Sequence, residues 1–433
     1  LHGPTGAACD AETVIRLVAI GDELVDGHTQ DSNSREIVQG LESLGLRVKD
    51  IRLVRDTEED LAREAAALMA GEGGLELVIS TGGLGPTVDD RTRSTLAKAF
   101  GAQLVFDEER WQWLEAWFQA RGRAIGPMQR CQALHPQPGF ALPNEVGTAS
   151  GLVFQPAGRL WIALPGVPSE MRHLLVTGVL PLVEHHLGSR PRGRVLAFRT
   201  RRLPESELSL RLEPLADLQA LGEVGFYPNA DGVLLRLRLP SATQGELDRR
   251  EDLARTLVRQ RLGGGLLTDN GRPLVELVME ELRRRGQRLT LAESCTGGWL
   301  ARELTELPGA STVFSGGVVA YGNEVKVRLL GVPALLLEEH GAVSEACAGA
   351  MALGARGRLE SDWALAVTGI AGPGGGTAEK PVGTVWLGLA GPRGVKVSRL
   401  DLRGNREQIR RRAAGQAWLW LWEALQDDAT HPH

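Results

Sequence analysis

Residues 14–83 read VIRLVAIGDELVDGHTQDSNSREIVQGLESLGLRVKDIRLVRDTEEDLAREAAALMAGEGGLELVISTGG, and the alternation inside this run decides the fold. VIRLVAIG (14–21) is a continuous apolar run of strand length, and NSREIVQGLESLG (33–45) carries its apolar residues at helical spacing. LRVKDIRLV (46–54) returns to a strand, EEDLAREAAALMAG (58–71) to a helix, LELVISTGG (75–83) to a strand and DRTRSTLAKAFG (90–101) to a helix. This β-α-β-α-β-α order predicts an α/β unit over residues 14–186, a doubly wound parallel sheet covered by helices on both faces. Ligands of such sheets bind beyond the carboxyl ends of the strands. The loops GDELVDGHTQDSN (21–33) and TGGLGPTVDDRT (81–92) then face one crevice.

Working outward, residues 190–265 have a different texture. RVLAFRTRRLP reads as a strand, ESELSLRLEPLADLQ as helical, FYPNADGVLLRLRL as a turn into an alternating strand, and QGELDRREDLARTLVRQRLG as a charged helix. A small α+β module is expected, ending in a linker at GGG (263–265). Residues 271–428 form a further α/β unit. The helix PLVELVMEELRRRG leads to the strand QRLTLA, the turn ESCTGG and the helix WLARELTEL. FSGGVVAY, NEVKVRLLG, the helix SEACAGAMALGARGRL and the strand WALAVT follow. A glycine-rich loop then precedes two strands and a terminal helix. Trp418, Trp420 and Trp422 lie in that last helix and read as packing or subunit-interface residues, so a homodimer is expected.

Composition bounds the function. At 433 residues the chain is too long for one core. A 42% apolar, 24% charged make-up is that of an ordinary globular protein. Net charge is −5, so no basic field calls for a nucleic-acid partner. The arginine clusters Arg283–Arg285 and Arg410–Arg412 read as solvated helix faces. Apolar runs fall short of a membrane span, and no membrane association is expected. Four cysteines without a CxxC pair fit a reducing compartment, and the expected location is cytoplasmic. Residues 1–13 lack a hydrophobic pattern and read as a disordered leader.

The chemistry concentrates between Leu289 and Thr384, in LAESCTGG, VVAYGNEVK and VTGIAGPGGGTAEKPVGT. Of the 49 basic residues only Lys49, Lys98, Lys326, Lys380 and Lys396 are lysines, and two of these stand in the three runs. Arginine stays protonated, whereas a desolvated lysine can lose its proton and act as a base. Ser294 sits at a strand-to-helix turn, which suits a helix cap as well as a nucleophile, and the same turn offers backbone N–H groups to an anion. Lys326 lies too far along the chain to share a helical turn with Ser294, so the two must meet through the fold. Tyr321 precedes it and can relay a proton or hold substrate. Arg406 and Arg410 can lower the lysine's pKa and bind a phosphate. Five glycines within 368–377 let the backbone approach a ligand closely, but the order is not that of a P-loop.

In the first unit, Asp89, Asp90 and Thr92 stand at a helix start after the turn Gly82, Gly83 and Gly85. Asp22, Glu23, Asp31 and Asn33 lie in the neighbouring loop. Acidic residues there complement the helix dipole. They also suit a Mg²⁺-type divalent ion beside a phosphate-cradling turn.

Two resemblances sharpen these readings. AESCTGG, SGGVVAYGNEVK, HGAVSE, TGIAGPGGG and KPVGTVW, in this order, resemble the CinA C-terminal family, whose members include nicotinamide-mononucleotide (NMN) amidases. The resemblance implies hydrolysis of NMN to nicotinate mononucleotide and ammonia without a cofactor. Ser294 would be the nucleophile, Lys326 the general base and Tyr321 an assistant. Thr296, Gly297, Thr368, Gly369, Gly372, Arg406 and Arg410 would surround the substrate. Gly322 stands where the family has serine. AIGDELVDG, DSN, TGGLGPTVDDRT, LPNEVGTASG and LPGVPSEM resemble the CinA N-terminal domain, which is related to molybdopterin-binding proteins. That resemblance implies metal-dependent cleavage of ADP-ribose to AMP and ribose 5-phosphate. Gly82, Gly83, Gly85, Thr87, Asn33 and Asn144 would lie at the substrate, and Asp89, Asp90 and Glu23 at the divalent metal. Molybdopterin binding or adenylylation is the rival for this unit. A non-catalytic nucleotide sensor serving competence or repair is the rival for the whole chain.

Overall fold

The computed structural model describes residues 13–87, 89–188, 192–229 and 232–430. The expected leader therefore lies outside the described residues except for Thr13. By compactness the chain divides into two units. One runs to Val195 and includes Leu221–Glu223 and Arg238–Asp252; the other comprises Leu196–Ala220, Val224–Leu237 and the chain from Leu253 onward.

The first unit contains strands β1 (Val14–Ile20), β2 (Val48–Val54), β3 (Leu75–Thr81), β4 (Gln103–Phe106), β5 (Leu134–Gln137), β6 (Gly139–Leu142), β7 (Gly151–Phe154) and β8 (Leu160–Leu164). Six form one sheet in the order β2-β1-β3-β8-β7-β6, while β4 and β5 pair separately. β1, β2, β3 and β8 are parallel, as the alternation predicts. The β6 and β7 edge is antiparallel, a feature that the expectation of a wholly parallel sheet misses. Both faces are covered. Ile15, Leu17, Ile79 and Ile162 pack with Ile37 and Leu41 of one helix and Met171 and Leu174 of another. Val18, Val78 and Trp161 on the other face pack with Leu61, Leu68 and Leu96. The helix Glu58–Ala70 starts where the Thr57 hydroxyl accepts from Asp60 N and stops at Gly71, which takes the left-handed conformation.

The segment read as a middle module holds β9 (Arg192–Thr200), β10 (Glu223–Pro228), β11 (Val233–Ala242) and β12 (Leu266–Thr268), ordered β10-β11-β9-β12, and its residues are shared between the two units. Gly263–Gly265 is a tight helical turn rather than a linker: Gly265 is buried and its carbonyl accepts from Arg201 N.

The second unit's sheet contains β13 (Leu289–Glu293), β14 (Phe314–Val319), β15 (Trp363–Gly369), β16 (Thr384–Gly391) and β17 (Gly394–Asp401), ordered β14-β13-β15-β16-β17. β13 lies between β14 and β15 and is parallel to both, and β16 and β17 continue antiparallel. Helices Leu274–Arg285, Trp299–Thr305 and Arg406–Thr430 cover one face, and Asn323–Leu330, Ala334–His340 and Glu345–Arg358 the other. Trp418 is buried in this core, with Trp420 and Trp422 packed against it. The aromatic stripe is thus core packing within its own chain and supplies no argument for a dimer. Arg285, expected on a solvated face, is largely buried between Glu281 and Asp428.

Candidate active site

β13 and its two parallel neighbours end together, and this brings the separated motifs into one place. Ser294 directly follows β13, and its N–H donates to Val367 O on β15 at 2.8 Å. β14 delivers the chain through Ala320 and Tyr321 into the helix Asn323–Leu330, which carries Lys326 inward at 1% exposure. Lys326 Nζ lies 3.2 Å from Ser294 Oγ, 2.8 Å from Ala320 O and 3.1 Å from Tyr321 O.

No carboxylate is among these contacts of the amine. Burial pushes the Lys326 amine below its usual 10.5, against an opposing effect of Cys347 and Cys295. Both thiols are themselves driven up by burial, Cys295 to about 12 and Cys347 to about 11, so they stay protonated and supply no counter-charge. A neutral amine has two N–H donors and one lone pair. Here Nζ donates to both carbonyls and to Ser294 Oγ; on losing a proton it would keep the two carbonyl bonds and turn its lone pair to the Ser294 hydroxyl. A cavity of about 270 Å³ opens over the pair, with Tyr321, Val343, Thr368, Ile370, Gly374 and Arg406 along its walls.

Other expected residues take different parts. Tyr321 is exposed, and its phenolic oxygen accepts from Arg406 Nη2 at 2.9 Å; its contact with Lys326 is through its carbonyl. The phenol is thus tied to Arg406 at the cavity wall, and among the described residues no hydrogen bond joins it to Ser294 or Lys326. Thr368 donates its hydroxyl to Ala342 O at 2.7 Å, so it braces the wall. Gly369 closes β15, where a Cβ would fall 2.8 Å from Thr384 O. Arg406 also donates to Gly372 O at 2.7 Å, and Lys380 Nζ to His340 O at 2.8 Å, so the glycine loop is strapped at two points. Thr296 is fully buried, and its hydroxyl oxygen has no hydrogen-bond partner. Arg410 donates to Cys295 O and Thr296 O, while Gly297 N donates to Ser294 O.

Sequence reasoning missed Glu293. Its buried carboxylate accepts from the N–H groups of Gly298, Leu300 and Ala301, at the start of the helix Trp299–Thr305. The amides that the sequence offers to an anion are taken by Glu293. The only sequence signal was its position next to Ser294.

At the first unit's crevice, Gly82 and Gly83 both have positive φ. Gly82 N donates to Leu164 O, and a Cβ on Gly82 would fall 2.1 Å from Ile20 O. A clash with backbone cannot be relieved by a rotamer change. Gly82→Ala is therefore expected to cost about 3 kcal/mol, read as a lowered denaturant midpoint. Asp90 accepts from Gly85 N and Thr87 N at 2.9 Å each and from the Thr87 hydroxyl. It pins the turn. Asn33 donates to Thr81 Oγ1 and Gly166 O, and its side-chain oxygen is buried without a partner. Asn144 is fully buried and donates to Ala149 O and Glu170, so it braces the 144–149 loop rather than meeting a ligand.

The metal expectation meets a different arrangement. Among the described residues no three His, Cys, Asp or Glu side chains converge as a metal group requires. Asp90 is committed to its turn, Asp89 is exposed beside Thr87, and Glu23 folds back over Gly21, where a Cβ would fall 2.6 Å from its carboxylate. The carboxylates named from sequence do not fit a divalent ion as they stand. The acidic group that does join this turn is Asp56, which sequence reasoning overlooked. It accepts from Arg91 N, and burial, then repulsion from Asp90, Asp89 and Asp22, pushes its carboxyl up to about 6.

Comparison with known proteins agrees with this two-part construction. Residues 271–425 match the CinA C-terminal domain, and residues 16–185 match the probable molybdopterin binding domain. A CinA-like protein of Geotalea uraniireducens is 40% identical over 411 residues, covering 95% of this chain and 97% of that one. The chain belongs to the CinA family. A CinA-like protein of Geobacter metallireducens is 41% identical over 94% of this chain and 98% of its own length. Among solved structures, a CinA superfamily protein from Klebsiella pneumoniae is 36% identical over 36% of this chain and 99% of its own, with a TM-score of 0.35. Family membership accounts for the pairing of a molybdopterin-binding-like unit with a CinA C-terminal unit in one chain. Among the described residues no helix is long and apolar enough to cross a membrane.

Proposed function

We propose that the second unit hydrolyses the carboxamide of NMN, giving nicotinate mononucleotide and ammonia, with Ser294 as nucleophile and Lys326 as general base. The observation that carries this reading is the buried amine 3.2 Å from Ser294 Oγ whose other contacts are two carbonyls. Lys326 accepts the Ser294 proton while Oγ bonds to the amide carbon, and the carbonyl π pair moves onto oxygen. The tetrahedral intermediate collapses, the C–N bond breaks, and the lysine returns its proton to the departing nitrogen. Water, deprotonated by the same amine, then attacks the acyl ester and releases the acid and the Ser294 hydroxyl. No cofactor enters these steps. Arg406, at the rim, is the cation best placed for the nucleotide phosphate. Product analysis tests the reading: full-length protein with NMN should yield equimolar ammonia and nicotinate mononucleotide. Micromolar NMN binding without either product would favour a sensor.

For the first unit we propose that the turn Gly82–Thr87 holds the pyrophosphate of ADP-ribose, with AMP and ribose 5-phosphate as products. The support is a glycine turn at the carboxyl end of β3, pinned by Asp90, with Asp56 beside it. Its acidic residues are not gathered for a metal, so no metal-centred step is drawn. Asp90→Asn should loosen the turn and lower AMP formation about 10-fold or more, while ammonia release from NMN stays as a control. AMP is measured by chromatography with and without Mg²⁺. Tight molybdopterin binding with no AMP in either condition would favour the rival.

A further inference from the structure

The nucleophile turn runs from Ser294 through Gly298 and ends in two glycines of positive φ, Gly297 at 61° and Gly298 at 90°. Glycine pairs give a turn its shape and also its freedom. A nucleophile on such a turn needs outside restraint, because a displacement of about 1 Å from productive geometry costs about 10²-fold in rate. Within the turn the restraint is slight: Gly297 N donates to Ser294 O at 3.1 Å.

Outside the turn, Ser294 N is fixed on Val367 O at 2.8 Å, and two ionic side chains from different elements hold the residues that follow. Glu293, the last residue of β13, is 1% exposed. One carboxylate oxygen accepts from Gly298 N at 2.9 Å and Leu300 N at 3.2 Å, and the other from Ala301 N at 2.9 Å. Arg410, on the terminal helix, donates from Nε to Cys295 O at 3.1 Å and from Nη2 to Thr296 O at 2.6 Å. Its guanidinium lies 5.5 Å from the centre of the Trp299 ring. A Cβ on Gly297 would come 3.3 Å from Arg410 Nη2, so the glycine leaves room for this reach. The carboxylate thus holds the turn by its amides and the guanidinium holds it by its carbonyls.

We infer that Glu293 and Arg410 form a two-sided clamp that positions Ser294 against Lys326. Both are positioning residues, and Arg410 is not a phosphate ligand. The inference rests on the amidase reading for its effect on rate, but the clamp itself is measurable without turnover. A lysine at 410 cannot replace the fork, since a single ammonium lacks the planar pair of donors that spans two successive carbonyls.

The experiment uses the full chain as wild type, Glu293→Gln, Arg410→Gln and Arg410→Lys, with Ser294→Ala as the blank. Amide hydrogen exchange over 294–301 reads the clamp directly. Labelling of Ser294 by a fluorophosphonate, followed by intact mass, reads nucleophile placement, and NMN kinetics separate kcat from KM. The clamp predicts exchange at least 10-fold faster in this segment for Glu293→Gln and Arg410→Gln. It also predicts labelling and kcat lowered at least 10-fold with KM within about threefold, and no rescue by Arg410→Lys. Exchange equal to wild type overturns the clamp. A raised KM with kcat intact in Arg410→Gln overturns it too, and makes that arginine a substrate ligand. Wild type that exchanges slowly but never labels sinks the nucleophile reading instead, and the exchange comparison still decides the clamp. Should Glu293→Gln fail to fold, Arg410→Gln carries the test, because it leaves the three bonds of Glu293 in place.

Discussion

Ser294→Ala is expected to lower ammonia release from NMN by about 10⁴-fold or more, to the level left by binding and polar stabilisation alone. The expectation follows from how much of the site exists to serve one oxygen. Three strands end at it, the Ser294 amide is fixed on Val367 O, and a lysine is buried to stand 3.2 Å from Oγ. Removing Oγ takes away the bond-forming atom while leaving every backbone contact of the turn. The variant should stay folded, with stability lowered by about 1 kcal/mol for the lost Lys326 contact to Oγ. Equal ammonia release by the two proteins would end the serine mechanism.

The second large effect concerns charge. Lys326→Arg keeps a cation and its donors, yet an arginine cannot give up its proton, so a loss of about 10²–10⁴-fold in kcat is expected. Lys326→Met should lose as much while introducing no charge. The wild-type pH dependence carries the same information. Burial holds the amine below 10.5, so kcat/KM should rise with pH as the free amine forms and level off before 10.5 is reached. Stability moves in the same direction. Below the ordinary lysine pKa the unfolded chain binds the proton that the buried amine resists. This contribution is complete above that value and is lost as pH falls through the depressed one. In Lys326→Met that part of the pH dependence should vanish from both profiles.

Much of this site was legible in the sequence, because the relevant signals are local. Apolar runs separated by helical spacing place Ser294 after a strand, and lysine scarcity marks Lys326. What could not be read was the partner of each polar atom. Asn144 and Thr368 look like ligand contacts in a motif, yet both are taken by carbonyls, Ala149 O and Ala342 O respectively. Arg410 resembles a phosphate cation until the fold shows it on Cys295 O and Thr296 O. Glu293 and Asp56 carried no pattern at all: one acts only through amides that follow it, the other through residues more than thirty positions away. The antiparallel edge of the first sheet escaped for a related reason. A short buried strand looks alike in either direction, and only its partner reveals which way it runs.

The burial that lowers the proton affinity of Lys326 also bears on which guests the proposed amidase would favour. A carboxamide enters neutral, whereas the acid of the proposed reaction would have to shed the water around its charge in surroundings that already disfavour a charge on the amine. Under that reading amide and acid are told apart partly at entry, and the product would leave more readily than the substrate.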